Sequence, residues 1–308
     1  MHLTDKISTI RHYLAEKKIS AILIPRADEY LGEYVPEHNE RLAWISGFTG
    51  SAGMLIITMD KAVLFVDGRY TIQVQQQCSP DLFEFEHLID NPPLRWLTDH
   101  LSAGEAVGFD SRLHNYQFYE HAHEQLAVKS IQLIELTENP IDLNWTDRPY
   151  ADIEVARLLE EKFTGENSLD KRKRIGQKIG QLGADAALIS QLDSIAWLLN
   201  IRGNDVPHLP VIMGSAILYQ SGEMAFCTDL RKIPDGFNQH VGAGVETFAE
   251  ETFEELIHTL GKENQKVIVD SNNSNTYAVL RCVEQQCEII AGTDPVLLPK
   301  AQKNDAEL

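Results

Sequence analysis

The sequence predicts a duplicated α/β domain. A helix-then-strand plan at the start of the chain returns in its second half, and the segments that follow return in the same order about 155 residues later. The apolar content of 43% and the charged content of 24% are those of a globular chain. Because 308 residues are enough for two well-filled cores, we expect two tandem domains rather than a solenoid.

The first copy begins with a helix followed by a buried strand. Ile7, Ile10 and Leu14 lie at helical spacing, and Thr4 is the expected N-cap. The continuous apolar run "AILIP" at 21–25 is typical of a strand that is buried on both faces. Helix then strand is therefore the opening unit of the repeat.

The second copy repeats this plan over residues 168–189. Ser168 is the expected N-cap, Gly183 is the expected helix stop, and "AALI" is the strand. The apolar stripe of the helix is formed by Ile175, Ile179 and Leu182.

Three further pairs of segments continue the repeat. They are "LAWISGF" (42–48) with "IAWLLNI" (195–201), "MLIIT" (54–58) with "VIMGSAIL" (211–218), and "AVLFVDG" (62–68) with "MAFCTD" (224–229). Between the copies, "NPIDLNWTDRPYAD" has the prolines and turn formers of a linker. We place a first domain at 1–140, a linker at 141–167, a second domain at 168–299, and the start of a further element, a polar helix that contains "KNDAEL", at 300–308.

Charge and composition narrow the classes of partner. A net charge of −19 argues against nucleic acid and anionic membranes, because both require a basic face. The sequence has no run of 18 apolar residues, and its N-terminus lacks the apolar core of a signal peptide. The four cysteines form no CxxC pair, so we expect reduced, mostly buried thiols in a cytoplasmic protein.

The glycine-rich stretch "GFTGSAG" at 47–53 raises the question of a phosphate-binding loop. Such a loop follows a strand and opens a helix, whereas this stretch precedes the β-rich run "MLIIT". We therefore expect a turn that feeds a strand, with glycines that permit positive φ and close packing.

Candidate catalytic and metal-binding groups are few. Glu120, His121, His123 and Glu124 in "EHAHE" fall in an expected helix, where a solvated face is the simpler reading than a metal site. Neither HExxH nor GxSxG occurs. The residues thus define no catalytic group and no metal ligand.

Arg69 in "LFVDGRY" is the most distinctive polar group. The Asp-Gly turn at a strand end would let its planar guanidinium clamp a carboxylate or a carbonyl of a ligand. A structural arginine that satisfies nearby carbonyls is the alternative, and both readings stay open.

Several strings resemble aminopeptidase P, the Xaa-Pro aminopeptidases, in its long three-domain form. "RLAWISGFTGSAG" and "FVDGRYTIQV" resemble that family's "RRAF.SGF.GSAG" and "WTDGRYFLQA". "PRADEYLGEYVPEHNER", "NWTDRP", "LDSIAWLLNIRGNDVPHLPV" and "KAQKNDAEL" match further family segments in order, so the resemblance covers essentially all of the chain.

The resemblance implies two creatinase-N-terminal-like domains with a ribonuclease-H-like motif, each a mixed β-sheet flanked by helices. It also implies that residues 300–308 lead into a catalytic domain whose two manganese ions are held by residues beyond Leu308. The activity that the resemblance implies is the removal of an N-terminal residue from peptides with proline in second position. We would then expect this chain, as a fragment, to wall the active site, select substrates and support assembly, for which a homodimer is one option.

Within this resemblance, Arg69 is the candidate substrate-binding residue. Arg202, Asp205 and His208 are candidates for a loop that faces another domain or the active site. The family's "RG.D...NP" reads "RGNDVPHLP" here, with Leu209 at the usual Asn, which weakens any role given to that loop; "TDGR" reads "VDGR" but keeps Asp67 and Arg69. The alternative function is a stand-alone, peptidase-like protein-binding module without catalysis.

Overall fold

The computed structural model describes residues 1–308, which divide into two compact units. The first unit comprises residues 1–29 and 37–150, and the second comprises residues 30–36 and 151–308. None of the helices combines the length and the apolar character that a membrane span requires.

The first unit is a six-stranded mixed sheet with helices. Its strands are β1 (Ala21–Pro25), β2 (Gly53–Thr58), β3 (Ala62–Val66), β4 (Glu84–His87), β5 (Ala106–Phe109) and β6 (Gln132–Glu135). Its helices are α1 (Leu3–Lys17), α2 (Arg41–Ser46), α3 (Thr71–Gln77), α4 (Pro93–His100) and α5 (Tyr116–Val128). The strand order is β4-β3-β2-β1-β5-β6, in which β2 is antiparallel to both of its neighbours and all other pairs are parallel.

The central strand β1 is buried on both faces, as its apolar run predicts. Ile22 and Ile24 belong to one core cluster with α1 and α2, whereas Ala21 and Leu23 belong to a second cluster with α4 and α5. Because successive side chains of a strand point to opposite faces, a five-residue apolar run serves both cores.

The second unit has eight strands, six of which form a large sheet of its own. Its strands are β7 (Arg157–Leu158), β8 (Ala186–Ile189), β9 (Ile201–Arg202), β10 (Ser215–Tyr219), β11 (Met224–Cys227), β12 (Val245–Phe248), β13 (Lys266–Val269) and β14 (Glu288–Ala291). Its helices are α6 (Glu161–Thr164), α7 (Ser168–Gln181), α8 (Leu192–Leu199), α9 (Phe237–Val241), α10 (Phe253–Lys262), α11 (Thr276–Glu284) and α12 (Leu297–Ala301). The short strands β7 and β9 form a separate two-stranded sheet.

The two large sheets share one topology. The second runs β12-β11-β10-β8-β13-β14, which reproduces the first strand for strand, and β10 is again antiparallel to both neighbours while the other pairs are parallel. The predicted duplication of a mixed α/β domain is therefore confirmed.

The helix stripes are mostly as predicted, but the helix starts are not. Ile7, Ile10 and Leu14 are buried, yet α1 begins at Leu3 with His2 as its N-cap, so the prediction of Thr4 was wrong. Similarly, α7 is capped by Asn167 rather than by Ser168, since the Asn167 side chain accepts the N–H of Asp170.

The end of α7 gives one confirmation and one correction. Gly183 follows the helix at φ +77°, as expected of a helix stop. Leu182 is 53% exposed rather than part of the buried stripe, because the helix ends at Gln181 and Leu182 belongs to the turn.

The last residues form turns instead of the expected polar helix. The helix α12 ends at Ala301. The Asn304 side chain then accepts the N–H groups of Ala306 and Glu307 and donates to the Thr164 carbonyl. Such side-chain bonds to nearby backbone compete with helix formation.

The two units differ in one polar side chain at equivalent positions just after the last strand of each sheet. In the first unit, Asn139 donates through its amide to the buried carboxylate of Asp110 at 2.9 Å. The equivalent position is Asp294, whose backbone N–H bonds the buried carboxylate of Asp270. Burial raises the pKa of Asp294, and the neighbouring Asp270 charge adds to this effect.

We therefore expect Asp294→Asn to stabilise the chain by about 1 kcal/mol at neutral pH, because the amide replaces a buried carboxylate and can donate to Asp270. The gain should shrink as the pH falls, since a carboxyl with a raised pKa becomes protonated and its burial cost disappears. Urea unfolding at several pH values measures this difference. The reverse change Asn139→Asp serves as the matched control and should destabilise; a stabilising Asn139→Asp would contradict the explanation.

Candidate functional site

Arg69 lies in a tight turn directly after β3. Asp67 Oδ1 accepts the backbone N–H of Arg69 at 2.9 Å, and Asp67 Oδ2 accepts the guanidinium Nε at 3.0 Å and Nη2 at 2.7 Å. These bonds from Arg69 lower the pKa of Asp67. The arginine side chain nevertheless stays 63% exposed. The turn thus holds a planar cation in one orientation while it faces solvent.

The glycine-rich stretch packs against this turn. Ser51 Oγ and Tyr70 Oη lie 2.7 Å apart, and the bond to Ser51 lowers the pKa of the Tyr70 phenol. The Tyr70 ring meets Phe48 edge to face at 5.7 Å and has the Arg69 guanidinium over it at 5.1 Å. Two sequence motifs that are separate in the chain therefore form one surface.

The glycines of this stretch are explained by packing. Gly47 ends α2 at φ +81°. A Cβ on Gly50 would lie only 2.2 Å from the Phe48 ring, so any larger residue would force that ring to move. The N–H of Thr49 is bonded to the Gln77 side chain at 3.0 Å, and β2 begins at Gly53. The predicted turn feeding a strand is confirmed.

A second arginine ties the end of β1 to the same edge of the sheet. Arg26 follows β1, pairs with Glu40 at 2.8 Å, and its Nη1 lies 3.4 Å from the Ser51 carbonyl. Its backbone N–H bonds Gly53. We call Arg26, Ser51, Asp67, Arg69 and Tyr70 the Arg69 edge. This group can recognise a carbonyl or carboxylate, but it pairs no nucleophile with a general base.

The three predicted loop candidates each have different partners. Arg202 donates to the Ala196 and Ile201 carbonyls, and burial lowers its pKa. Asp205 forms an ion pair with Lys232 at 2.7 Å in which both side chains are buried. His208 is exposed at φ +66° and meets only the ring of Tyr34 among the aromatic contacts. Arg202 and Asp205 hold the loop, whereas His208 faces outwards.

The duplication reveals a residue that the sequence reasoning missed. Arg231 follows β11 as Arg69 follows β3, and it pairs with Asp229 at 2.6 Å through the same backbone and side-chain bonds. The pairing lowers the pKa of Asp229 to about 2. The signal was present as "TDLR" beside "VDGR". Because Leu230 replaces Gly68, the Asp-x-Arg turn does not require glycine.

Two other strings that resemble the family meet in a cluster of charges around the buried Arg41. Arg41 of "RLAW" donates to Asp142 at 2.7 and 2.8 Å and to Glu29 at 2.5 Å. Arg148 of "NWTDRP" pairs with the same Asp142 at 3.3 Å. Trp44 and Trp145 stack beside them at 5.7 Å. We call Arg41, Glu29, Asp142 and Arg148 the Arg41 cluster; it joins the two ends of the first unit.

The His, Cys, Asp and Glu side chains of the chain form no group of three that could hold a metal ion. Glu120, His121, His123 and Glu124 lie exposed on α5, which confirms the reading of a solvated face. The four cysteines are free and buried, as expected. The residues present therefore do not fit a di-manganese centre.

The chain belongs to the creatinase/prolidase N-terminal domain family. One family domain matches residues 6–141 and a second, also described as a creatinase/prolidase N-terminal domain, matches residues 147–307. These matches agree with the two sheets of identical topology.

The particular relatives are Xaa-Pro aminopeptidases. The chain is 30% identical to Xaa-Pro aminopeptidase 1 of Dictyostelium discoideum, over 99% of this chain and 50% of that protein. It is 32% identical to aminopeptidase P2 of Arabidopsis thaliana, over 92% of this chain and 41% of that protein. The chain thus spans half or less of these two relatives.

A solved structure of a Xaa-Pro aminopeptidase also matches nearly the whole chain. The X-prolyl aminopeptidase of Caenorhabditis elegans, described as a cytosolic enzyme with a di-nuclear active site, superposes with a TM-score of 0.92 at 25% identity. The match covers 99% of this chain and 52% of that one. The resemblance to Xaa-Pro aminopeptidases that the sequence strings indicate is confirmed.

Proposed function

We propose that this chain serves as the non-catalytic N-terminal part of a Xaa-Pro aminopeptidase. The observation that carries the proposal is the match of 99% of the chain to 50% of a Xaa-Pro aminopeptidase, through two domains of an N-terminal family. The proposed activity of the whole protein is hydrolysis of the bond between an N-terminal residue and proline. We propose that it acts in the cytoplasm, with a homodimer as one option for its assembly.

The proposed division of labour follows from the chemistry of the substrate. An X–Pro amide has no N–H, and the proline ring fixes φ, so a dedicated site must fit it. Metal ions, which we propose to be two manganese ions held by residues outside these 308, supply Lewis acidity when bound. This chain would wall that site, limit peptide length and exclude water.

We assign the peptide contact to Arg69. Its guanidinium is pre-oriented by Asp67 and supported by the Tyr70 ring, yet it faces solvent. A fixed fork donor of this kind suits a peptide carbonyl or C-terminal carboxylate, and a charge-assisted bond of this type is worth about 1.5–3 kcal/mol. Its contribution would be made in the enzyme–peptide complex rather than in folding.

Arg69→Ala should lower kcat/KM for Xaa-Pro peptides roughly ten- to a hundredfold, and Arg69→Lys should recover only part of the loss because the bidentate fork is gone. The protein expressed from its complete gene is assayed, with the 308-residue chain in parallel, for which we expect no turnover. Arg231→Ala is the matched control, because it removes the same local turn bonds from the second unit.

The outcomes separate the proposals. No cleavage of Xaa-Pro peptides by the complete gene product would overturn the enzymatic function and favour a protein-binding module. If the complete gene product cleaves the peptides but Arg69→Ala and Arg231→Ala lower kcat/KM equally, only the proposed peptide contact of Arg69 is rejected. A drop in melting temperature of the 308-residue chain that accounts for the kinetic loss would make Arg69 structural.

A further inference from the structure

The helix α11 ends in a turn that brings two cysteines together. Gln286 adopts φ +64°, its N–H bonds the Val283 carbonyl at 3.0 Å, and the N–H of Cys287 bonds the Cys282 carbonyl at 3.0 Å. This pair of backbone bonds is the Schellman motif, which places the side chains at these two positions in contact. Here both of those side chains are thiols.

The same turn in the first unit carries no sulfur. The helix α5 stands in the first unit where α11 stands in the second, and its N–H of Ile131 bonds the Leu126 carbonyl at 3.0 Å with Ser130 at φ +56°. Leu126 and Ile131 fill the two contact positions and are both buried. An aliphatic pair is therefore sufficient for the turn, and the fold itself does not require the two thiols.

The two sulfurs are within bonding reach. The 3.0 Å bond from the Cys287 N–H to the Cys282 carbonyl limits the distance between the two Cα atoms to about 7 Å, given standard backbone bond lengths. Disulfides usually span about 4.4–6.8 Å between Cα atoms. Each thiol is also the neighbour that most strongly affects the pKa of the other. Closing a disulfide would therefore need only a small movement.

We propose that Cys282 and Cys287 form a reversible redox site, which a low-molecular-weight disulfide such as glutathione disulfide oxidises to an intramolecular disulfide. The Cys287 thiolate attacks one glutathione sulfur, which breaks the glutathione S–S bond and releases one glutathione thiolate. Cys282 then gives up its proton and attacks the Cys287 sulfur, which breaks the mixed disulfide and releases the second glutathione. Two protein thiols lose two electrons and two protons, and one glutathione disulfide becomes two thiols.

The order of attack follows from the surroundings of the two thiols. The neighbouring Cys282 thiol lowers the pKa of Cys287, which favours the nucleophilic thiolate there, and Cys287 is also the less buried of the two. Burial raises the pKa of Cys78 to about 11 and that of Cys227 to about 12. Those two thiols are thus built-in comparisons that should resist oxidation.

The test incubates the reduced 308-residue chain with glutathione disulfide, blocks the remaining thiols by alkylation, and maps tryptic peptides. Cleavage after Arg281 and Lys300 leaves both cysteines in one peptide, 282–300. We expect two of the four thiols to disappear together and this peptide to become about 2 Da lighter, with no retained glutathione. Dithiothreitol should restore both thiols.

Two variants sharpen the test. Cys282→Ser should trap glutathione on Cys287, because the second attack is lost. The double change Cys282→Leu with Cys287→Ile copies the aliphatic pair of the first unit. This variant should keep the fold, and glutathione disulfide should oxidise neither of its two remaining thiols. The proposal is overturned if Cys282 and Cys287 oxidise no faster than Cys78 and Cys227, or if the unaltered chain retains glutathione instead of closing the disulfide.

Discussion

Arg41→Ala is expected to destabilise the first unit by about 3 kcal/mol. The side chain is 2% exposed and satisfies two carboxylates, Asp142 through two bonds and Glu29 through one. Burial alone would lower the pKa of Arg41, but the carboxylates outweigh it and raise that pKa. Removing one partner of a buried ion pair commonly costs about 3–5 kcal/mol, because the other charge stays behind uncompensated.

The lower end of that range applies here. Asp142 and Glu29 keep 30% side-chain exposure, and Asp142 retains its bond to Arg148. Water and the second arginine therefore compensate part of the lost charge. Urea unfolding should be followed by two probes, one that reports on each unit. The urea midpoint of the first unit should fall, and that of the second unit should not change.

Arg148→Ala is the matched control for this prediction. It removes the other arginine from the same carboxylate, together with its bonds to the His38 carbonyl and the Asn39 side chain, but its side chain is 29% exposed, so we expect a smaller loss of about 1–2 kcal/mol. Arg41→Lys should fall between the two, since a lysine keeps the charge without the fork. Equal losses for Arg41→Ala and Arg148→Ala would show that burial of Arg41 does not set the cost.

The sequence predicted the duplicated fold because the helices and strands of that fold depend on short-range patterns of apolar residues. Helical stripes such as Ile7, Ile10 and Leu14 and two-sided apolar strands such as 21–25 depend only on local spacing and burial. The N-caps at Thr4 and Ser168 failed because several neighbouring polar residues could cap, and local spacing fixes a helix boundary only to within one or two residues.

The composition of the Arg69 edge was harder to predict. Arg69 and the glycine-rich stretch were each singled out, but their meeting through Ser51 and Tyr70 depends on which strands are neighbours. The role of Asp205 was also hidden, because its partner Lys232 lies 27 residues further along the chain. Long-range pairs of this kind have no local pattern, so spacing alone cannot find them.

The acid sensitivity of the first unit should depend on His114. Its ring is 3% exposed, stacks on Phe118 at 4.9 Å, meets Phe109 edge to face at 5.7 Å, and bonds the Asp110 carbonyl through Nδ1 at 2.9 Å. Burial lowers the pKa of His114 from 6.5 to about 4. The histidine is therefore neutral in the folded protein at pH values where the unfolded chain already binds a proton.

The direction of the effect follows from proton linkage. Between pH 6.5 and 4 the unfolded state binds more protons at this residue, so the stability of the fold falls as the pH falls through that window. A shift of this size corresponds to a loss of about 3 kcal/mol when the window has been crossed, at 1.36 kcal/mol per pKa unit. Above pH 6.5 the residue should contribute no pH dependence.

His114→Asn and His114→Phe test this assignment together. Asparagine keeps a donor near the Asp110 carbonyl and phenylalanine keeps the ring, so their stabilities at pH 7.5 should differ. Both should lose about 2–3 kcal/mol less than the unaltered chain between pH 7 and pH 4.5, since neither side chain can be protonated. The raised pKa of Asp110, which burial causes, acts in all three proteins and cancels from the comparison. Denaturant titrations at 0.5-unit pH steps measure the slopes, and parallel profiles for all three proteins would mean that acid unfolding begins at other groups.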